Sequence, residues 1–244
     1  MRVFAAYNIK GGVGKTTTAV NLAYLSAREG ARTLLWDLDP QGAATFLFRV
    51  RPRVKGGSHA LVTRKRPIED ALKATDFENL DLLPADFSYR NMDLDLDDTK
   101  KRTRRLGQLL ETVADDYDVV FLDCPPSVSL VSENVLYASD VLLVPLIPAT
   151  LSLRTLAQLT RFVADAEDRR PEVVAFFSMA DRRKRLHREV IASIPRDRAR
   201  VAVTVIPALS IIEQMAERRA PVAAFAPASV AAQCYEQLWA EVRP

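Results

Sequence analysis

Residues 10–17 read Lys-Gly-Gly-Val-Gly-Lys-Thr-Thr, and they lie between two segments of different periodicity. Before them, Val3 to Tyr7 is a continuous apolar run that reads as a buried strand. After them, Thr16 to Arg28 carries Val20, Ala23, Tyr24 and Ala27 at helical spacing. A strand that passes through glycines straight into a helix admits few folds. It starts a strand–helix–strand unit, and the later continuous strands such as Val141 to Val144 favour a parallel sheet covered on both faces. The predicted fold class is therefore α/β: one doubly wound, mostly parallel sheet with helices on both faces, in a single domain over residues 1–244.

The turn itself is an anion cradle. Glycines tolerate positive φ and let backbone approach a ligand closely. N–H groups and the positive end of the helix dipole converge there. The usual phosphate-loop spacing G-x-x-x-x-G-K-[ST] needs glycine at position 9, where this chain has Ile9. Candidate nucleotide-binding positions are Gly11, Gly12, Val13, Gly14, Lys15, Thr16 and Thr17. Lys15 is placed to meet β- and γ-phosphate oxygens, Thr17 to reach the α-phosphate, and the Thr16 hydroxyl to ligate Mg²⁺, which favours hard oxygen donors. Lys10 stands before the tight turn and is most useful to a nucleotide held by a facing subunit. There it would act as an arginine finger does, an effect of about 10³–10⁵ in rate. A solvated lysine at a strand end is the alternative.

Two further segments carry acids where α/β sheets bind ligands, at the carboxyl ends of strands. Asp37-Leu38-Asp39-Pro40-Gln41-Gly42 follows the strand Thr33 to Trp36, and alternation puts Asp37 and Asp39 on one face. Asp123 follows the apolar run Val119 to Leu122 and precedes Cys124-Pro125-Pro126. Any one of these aspartates alone could cap a turn. Together with the two-lysine loop, in this chain order, they resemble the ParA/MinD group of deviant-Walker ATPases.

That resemblance implies an ATPase using ATP and Mg²⁺. Lys10, Lys15 and Asp39 would be its catalytic residues, with Asp39 positioning or activating the attacking water. Thr16, Asp37 and Asp123 would form or approach the metal shell. The likeness extends through residues 67–72, 79–85 and 140–145 to Val205-Ile206-Pro207 and Ala226-Pro227-Ala228-Ser229, and it places Pro207 near adenine. It departs at Ala208-Leu209, where relatives often have Arg-Asn/Ser, and at Ser178 and Ala180. It also implies a homodimer when ATP is bound, non-specific DNA as a ligand, and a ParB-like or other cargo-bound protein that stimulates hydrolysis.

The chain has 34 Lys and Arg against 31 Asp and Glu, so distribution says more than net charge. Residues 49–66 hold seven basic residues and no acid; 100–105 form a second cluster; 182–188 form a third that continues to Arg196, Arg198 and Arg200. Such runs neutralise nucleic-acid phosphates, although charge runs also serve as solvated faces. They lack interleaved aromatics or a helix-turn-helix, so sequence-specific readout is not indicated. The resemblance favours the third run, and Arg183, Lys184, Arg185, Arg188, Arg218 and Arg219 are the DNA-contact candidates. His187 is expected on that surface, and His59 is expected to lack a partner cluster. Segment 49–66 is the expected mobile stretch.

Two cysteines, Cys124 and Cys234, are too few for a disulfide framework and suggest a reducing compartment. A four-thiolate cluster like that of the nitrogenase iron protein would need two from each of two chains. No signal peptide or transmembrane run is read. The tail from Ala231 to Pro244 has one arginine, two glutamates and no lysine; it is expected to pack on the domain and not to act as the basic amphipathic anchor of MinD-type relatives. The chain is expected to be cytoplasmic and nucleoid-associated, without the N-terminal DNA-binding extension of larger partition ATPases. Competing readings are a MinD-like regulator of division, a nucleotide-sensing module that does not act on DNA or does not turn over, and a metabolic enzyme such as a cobyrinate amidating ligase.

Overall fold

The computed structural model describes residues 1–165, 171–194 and 200–243. Arg196, Arg198 and Pro244 lie outside the described residues. The strands are β1 (Arg2–Ala6), β2 (Thr33–Asp37), β3 (Lys73–Ala74), β4 (Leu80–Leu83), β5 (Val119–Asp123), β6 (Val141–Leu146), β7 (Glu172–Ala180) and β8 (Arg200–Pro207). The helices in the first half are α1 (Lys15–Arg28), α2 (Ala43–Leu47), α3 (Gly57–Val62), α4 (Met92–Asp97) and α5 (Arg105–Leu110). Those in the second half are α6 (Leu130–Ala138), α7 (Thr150–Ala164), α8 (Arg185–Ser193), α9 (Ser210–Arg218), α10 (Val222–Phe225) and α11 (Val230–Val242).

The eight strands form one sheet in the order β3-β4-β2-β5-β1-β6-β7-β8. All pairings are parallel except the short edge pair β3–β4. This is the doubly wound sheet expected from the sequence. Its two faces bury different residues of the same strands, as a period of two demands. Val3, Ala5 and Tyr7 of the first strand region face one core, with Leu34, Trp36, Val120, Leu122, Leu142 and Val144. Phe4 and Ala6 face the other, with Leu35, Phe121 and Leu143. Helices α3 to α8 cover the first face; α1, α2, α9, α10 and α11 cover the second.

The C-terminal tail packs on the domain as its composition suggested. Trp239 of α11 meets the stacked pair Phe4–Phe121, with ring centroids 5.7 and 5.8 Å away. Its indole N–H donates to Glu29 at 2.9 Å. Among the described residues, no helix is long and apolar enough to cross a membrane. Segment 49–66 is tied down more than its charge and turn formers suggest. It contains α3, buries Val54, Leu61 and Val62, and donates from Val54 N–H to Asp86 and from Ser58 to Ser88 and Asp95. Within residues 67–72 the chain makes a single 3₁₀ turn, Ile68–Ala71.

Strand register places the site. Ala6 and Asp37 are both level with Asp123 across β1, β5 and β2. The loops that leave β1, β2 and β5 therefore start from one line, at the carboxyl end of the sheet.

Candidate nucleotide and metal site

The loop after β1 is built to leave donors open. Gly12 and Gly14 have φ of 68° and 94°, and α1 starts at Lys15 with no side-chain cap on its first N–H groups. Those uncapped donors and the helix dipole face outward from the turn. A Cβ at Gly14 would lie 2.8 Å from Ser178 Oγ, so both conformation and space exclude a side chain there. Asn8, 2% exposed, pins the loop's start: its amide donates to Pro145 O at 2.8 Å and its Oδ1 accepts from Lys10 N–H at 2.9 Å. Lys15 is 7% exposed and its ammonium reaches back to Lys10 O at 3.3 Å. Burial lowers its pKa, and the nearby Asp123 carboxyl opposes that shift. Lys10 itself is exposed.

Asp37 and Asp123 sit side by side on β2 and β5, both 0% exposed. Asp37 Oδ2 accepts from Thr45 N–H and the Thr45 hydroxyl, each at 2.7 Å, and Oδ1 accepts from Asp39 N–H at 3.3 Å. Burial pushes its carboxyl up to about 6 against the pull of those bonds. Asp123 is different: neither oxygen has a hydrogen-bond partner. Burial first, and the Asp37 charge second, raise its pKa well above the carboxylate norm; Thr16 and Lys15 act in the opposite direction. The Thr16 hydroxyl lies beside this carboxyl.

A buried carboxylate with both oxygens unmet is costly unless something binds it. The donor set of carboxylate, threonine hydroxyl and a neighbouring phosphate cradle fits a hard divalent cation such as Mg²⁺, which is commonly held by one or two carboxylates plus substrate phosphates. It does not fit a thiolate cluster. Burial raises the Cys124 thiol, and Cys124 and Cys234 pack toward opposite faces of the sheet. Asp39 lies in the turn beyond, half-buried, with Oδ1 accepting from Gln41 N–H at 2.9 Å.

Beside the loop lies a cavity of about 160 Å³, lined by Gly14, Thr17, Ser178, Met179, Ile206, Pro207, Ala208, Leu209, Ile212, Glu213 and Tyr235. Its walls are mostly apolar, it adjoins the phosphate cradle, and it includes Pro207 and the divergent Ala208-Leu209. Two larger cavities, of about 490 and 380 Å³, open at the amino ends of the strands, near Arg32 and Tyr117 and near Val3 and Asp140. Parallel α/β sheets bind their ligands at the other end.

The DNA-contact candidates do not form one patch on the single chain. Arg183, Lys184, Arg185 and Arg188 belong to α8 and the turn before it, on the face covered by α3 to α8. Arg218 and Arg219 end α9 on the opposite face. Arg183 pairs with Asp181 at 3.0 Å and Arg185 with Glu189 at 2.6 Å; Arg188 donates to Arg182 O at 2.7 Å. Such exposed pairs contribute little and exchange readily for other anions. His187 differs from expectation: it is 9% exposed, and its Nδ1 accepts from Asp181 N–H at 3.0 Å, organising the turn from beneath. His59 lies 3.2 Å from Asp95 and 3.1 Å from Lys65.

Asn8, Thr45 and Ser178 are the residues of this site that motif spacing did not single out for a role. The fold and the loop together define a phosphate-loop α/β protein. Comparison with known proteins narrows the class. The family model described as an AAA domain matches residues 1–176. The sporulation initiation inhibitor protein Soj of Bacillus subtilis strain 168 is 35% identical over 248 residues, covering 99% of this chain and 98% of that protein. A solved structure of cobyrinic acid a,c-diamide synthase from Mycobacterium smegmatis, with bound ATP analogue and magnesium, is 32% identical with a TM-score of 0.78, covering 89% of this chain and 91% of that one. The cell division ATPase MinD of Pyrococcus furiosus, 22% identical with a TM-score of 0.77 over 99% of this chain and 98% of its own, shares the fold. The chain belongs to the ParA/MinD-type P-loop ATPases.

Proposed function

We propose that this chain is a nucleotide-controlled switch that positions cargo on DNA. ATP with Mg²⁺ occupies loop 10–17, with its base in the cavity beside Pro207, and two subunits close face to face over their nucleotides. The closed dimer holds DNA non-specifically through Arg183, Lys184, Arg185, Arg188, Arg218 and Arg219. A ParB-like or other cargo-bound protein, using a basic segment, stimulates hydrolysis and returns the chain to a monomer that releases DNA. The cargo is a chromosome, a plasmid or a protein assembly.

The observation that carries this reading is the contrast between two lysines of one loop. Lys15 is buried and folded inward, and Lys10 is exposed on the outer side of the same turn. That contrast supports one cation serving the chain's own phosphates and the other a partner's. Within the site, Lys15 and the N–H groups of residues 11–17 hold and orient the phosphates. Mg²⁺, held by Thr16 and Asp123 with Asp37 behind them, would neutralise charge on the phosphate oxygens. Asp39 orients a water and takes its proton as the water oxygen bonds to the γ-phosphorus. The bond from that phosphorus to the bridging oxygen breaks, giving ADP and phosphate. Lys10 of the facing subunit meets the charge that develops on the transferring group.

Binding to random-sequence duplex DNA with ATP, ADP or no nucleotide, across a salt series, tests the reading. Wild type should bind only with ATP and weaken steeply with salt, and Lys10→Ala should lose the ATP effect. Binding that is absent or indifferent to nucleotide would leave a switch acting elsewhere than on DNA. It would also favour the second reading, an amide-forming synthase, which draws support from the 32% likeness to the M. smegmatis structure.

A further inference from the structure

Helices α2 and α9 lie on the same face of the sheet and start at different parts of the candidate nucleotide site, and they are fastened to each other at their far ends. Helix α2 begins just after the acids of β2, where Thr45 donates twice to Asp37. Helix α9 begins at the base cavity, where Leu209, Ile212 and Glu213 form part of the wall. At the far ends the contacts are reciprocal. Arg219 Nε donates to Phe46 O at 2.9 Å, and its guanidinium lies 4.4 Å from the centre of the Phe46 ring. Arg49 donates to Arg218 O at 3.2 Å and pairs with Asp76 at 3.0 Å. Both arginines hold left-handed backbone, φ 60° at Arg49 and 50° at Arg219, a conformation that non-glycine residues keep only where surrounding contacts impose it.

We infer that Phe46, Arg49 and Arg219 form a clasp that positions α9 as the wall of the base cavity. The inference rests on the nucleotide reading given above. The three are positioning residues: none lines the cavity or the loop. Between cavity and clasp, α9 is held by Met215, whose sulfur accepts from Asn21 of α1 at 3.3 Å. With the clasp open, the first turn of α9 spends part of its time off the cavity, and affinity for a base falls by that fraction. Arg219 thereby has a role inside the molecule, distinct from any contact with DNA.

The split between base and phosphate tests this. Affinities for ATP and for inorganic tripolyphosphate, both with Mg²⁺, are measured by calorimetry for wild type, Phe46→Ala, Arg219→Ala and Arg219→Lys. Tripolyphosphate occupies the loop without entering the base cavity. ATP should bind about tenfold more weakly to all three variants, a typical size for coupling between sites, while tripolyphosphate affinity stays at the wild-type value. Arg219→Lys should behave like alanine because an ammonium has neither the Nε donor nor the planar face. Phe46→Tyr, which keeps ring and carbonyl, should bind ATP as wild type does. Equal loss for both ligands would mean a general disturbance of the fold and would overturn the clasp, as would unchanged ATP affinity. Wild type binding neither ligand would overturn the nucleotide reading itself.

Discussion

Asp123→Asn should make the metal-free protein more stable and the nucleotide-bound protein less so. The carboxyl is 0% exposed, and neither of its oxygens is bonded. Leaving such a group unmet costs about 1–3 kcal/mol, more when it is charged. Asparagine keeps the shape and removes the repulsion with Asp37, but its amide is also unmet, so the lower part of that range applies. A gain of about 1–2 kcal/mol would raise the unfolding midpoint by roughly 3–6 °C in a chain of this length.

The gain has a definite pH dependence. Both Asp37, pushed up to about 6, and Asp123 are raised above the ordinary 3.8. In the window above 3.8 the folded state keeps protons that the unfolded chain has released, so wild-type stability falls as pH rises through about 6. The advantage of the variant should therefore be larger at pH 8 than at pH 5. With Mg²⁺ and ATP at a hundred times the dissociation constant, wild type should gain about 2.7 kcal/mol, and the variant should lose most of that gain. Thermal unfolding followed by circular dichroism, at pH 5 and pH 8 in EDTA and in Mg²⁺ with ATP, reads all three effects. A lower midpoint for the variant in EDTA, or a full response to Mg²⁺ and ATP, would mean that Asp123 is neither an unmet buried charge nor part of the metal site.

Gly14→Ala forces a side chain onto φ 94° and a Cβ to 2.8 Å from Ser178 Oγ; a stability loss of about 1–3 kcal/mol and loss of ATP binding are expected by calorimetry, with Ser178→Ala giving partial recovery because it relieves the contact but not the φ. Asp39→Ala should slow single-turnover phosphate release by about 10²–10⁴; rates equal to wild type would remove Asp39 from the chemistry. Lys184→Glu should weaken DNA binding across all sequences and reduce the slope of log affinity against log salt by about 1–2. An unchanged slope would exclude the α8 turn as a DNA face.

What the sequence made legible was what depends on local spacing. The strand–glycine–helix passage at 2–28 appears where its periodicity placed it, and the apolar runs ending at Asp37 and Asp123 become neighbouring strands whose last residues are level. Contacts between distant segments were beyond reach. Thr45 reaches Asp37 only because the Asp39–Gly42 turn folds α2 back over the end of β2, and Ser178 meets Gly14 across 164 positions of chain. The basic residues show the same limit. Runs at 182–188 and 218–219 look alike in sequence, yet the crossovers into and out of β8 send α8 and α9 to opposite faces of the sheet. His187 read as surface from its arginine neighbours, but the turn before α8 needed an acceptor for Asp181 N–H and drew the ring inward. Segment 49–66 read as mobile from its charge, whereas Val54, Leu61 and Val62 supply enough apolar surface to anchor it.

ATP, and not ADP, should join two copies of this chain through Lys10. Sedimentation velocity of Asp39→Ala, which should retain ATP unhydrolysed, measures it directly. A dimer is expected with ATP and Mg²⁺, a monomer with ADP, and a monomer in both conditions for the double variant Lys10→Ala, Asp39→Ala. One mass in every condition, or a dimer that survives the loss of Lys10 unchanged, would contradict it.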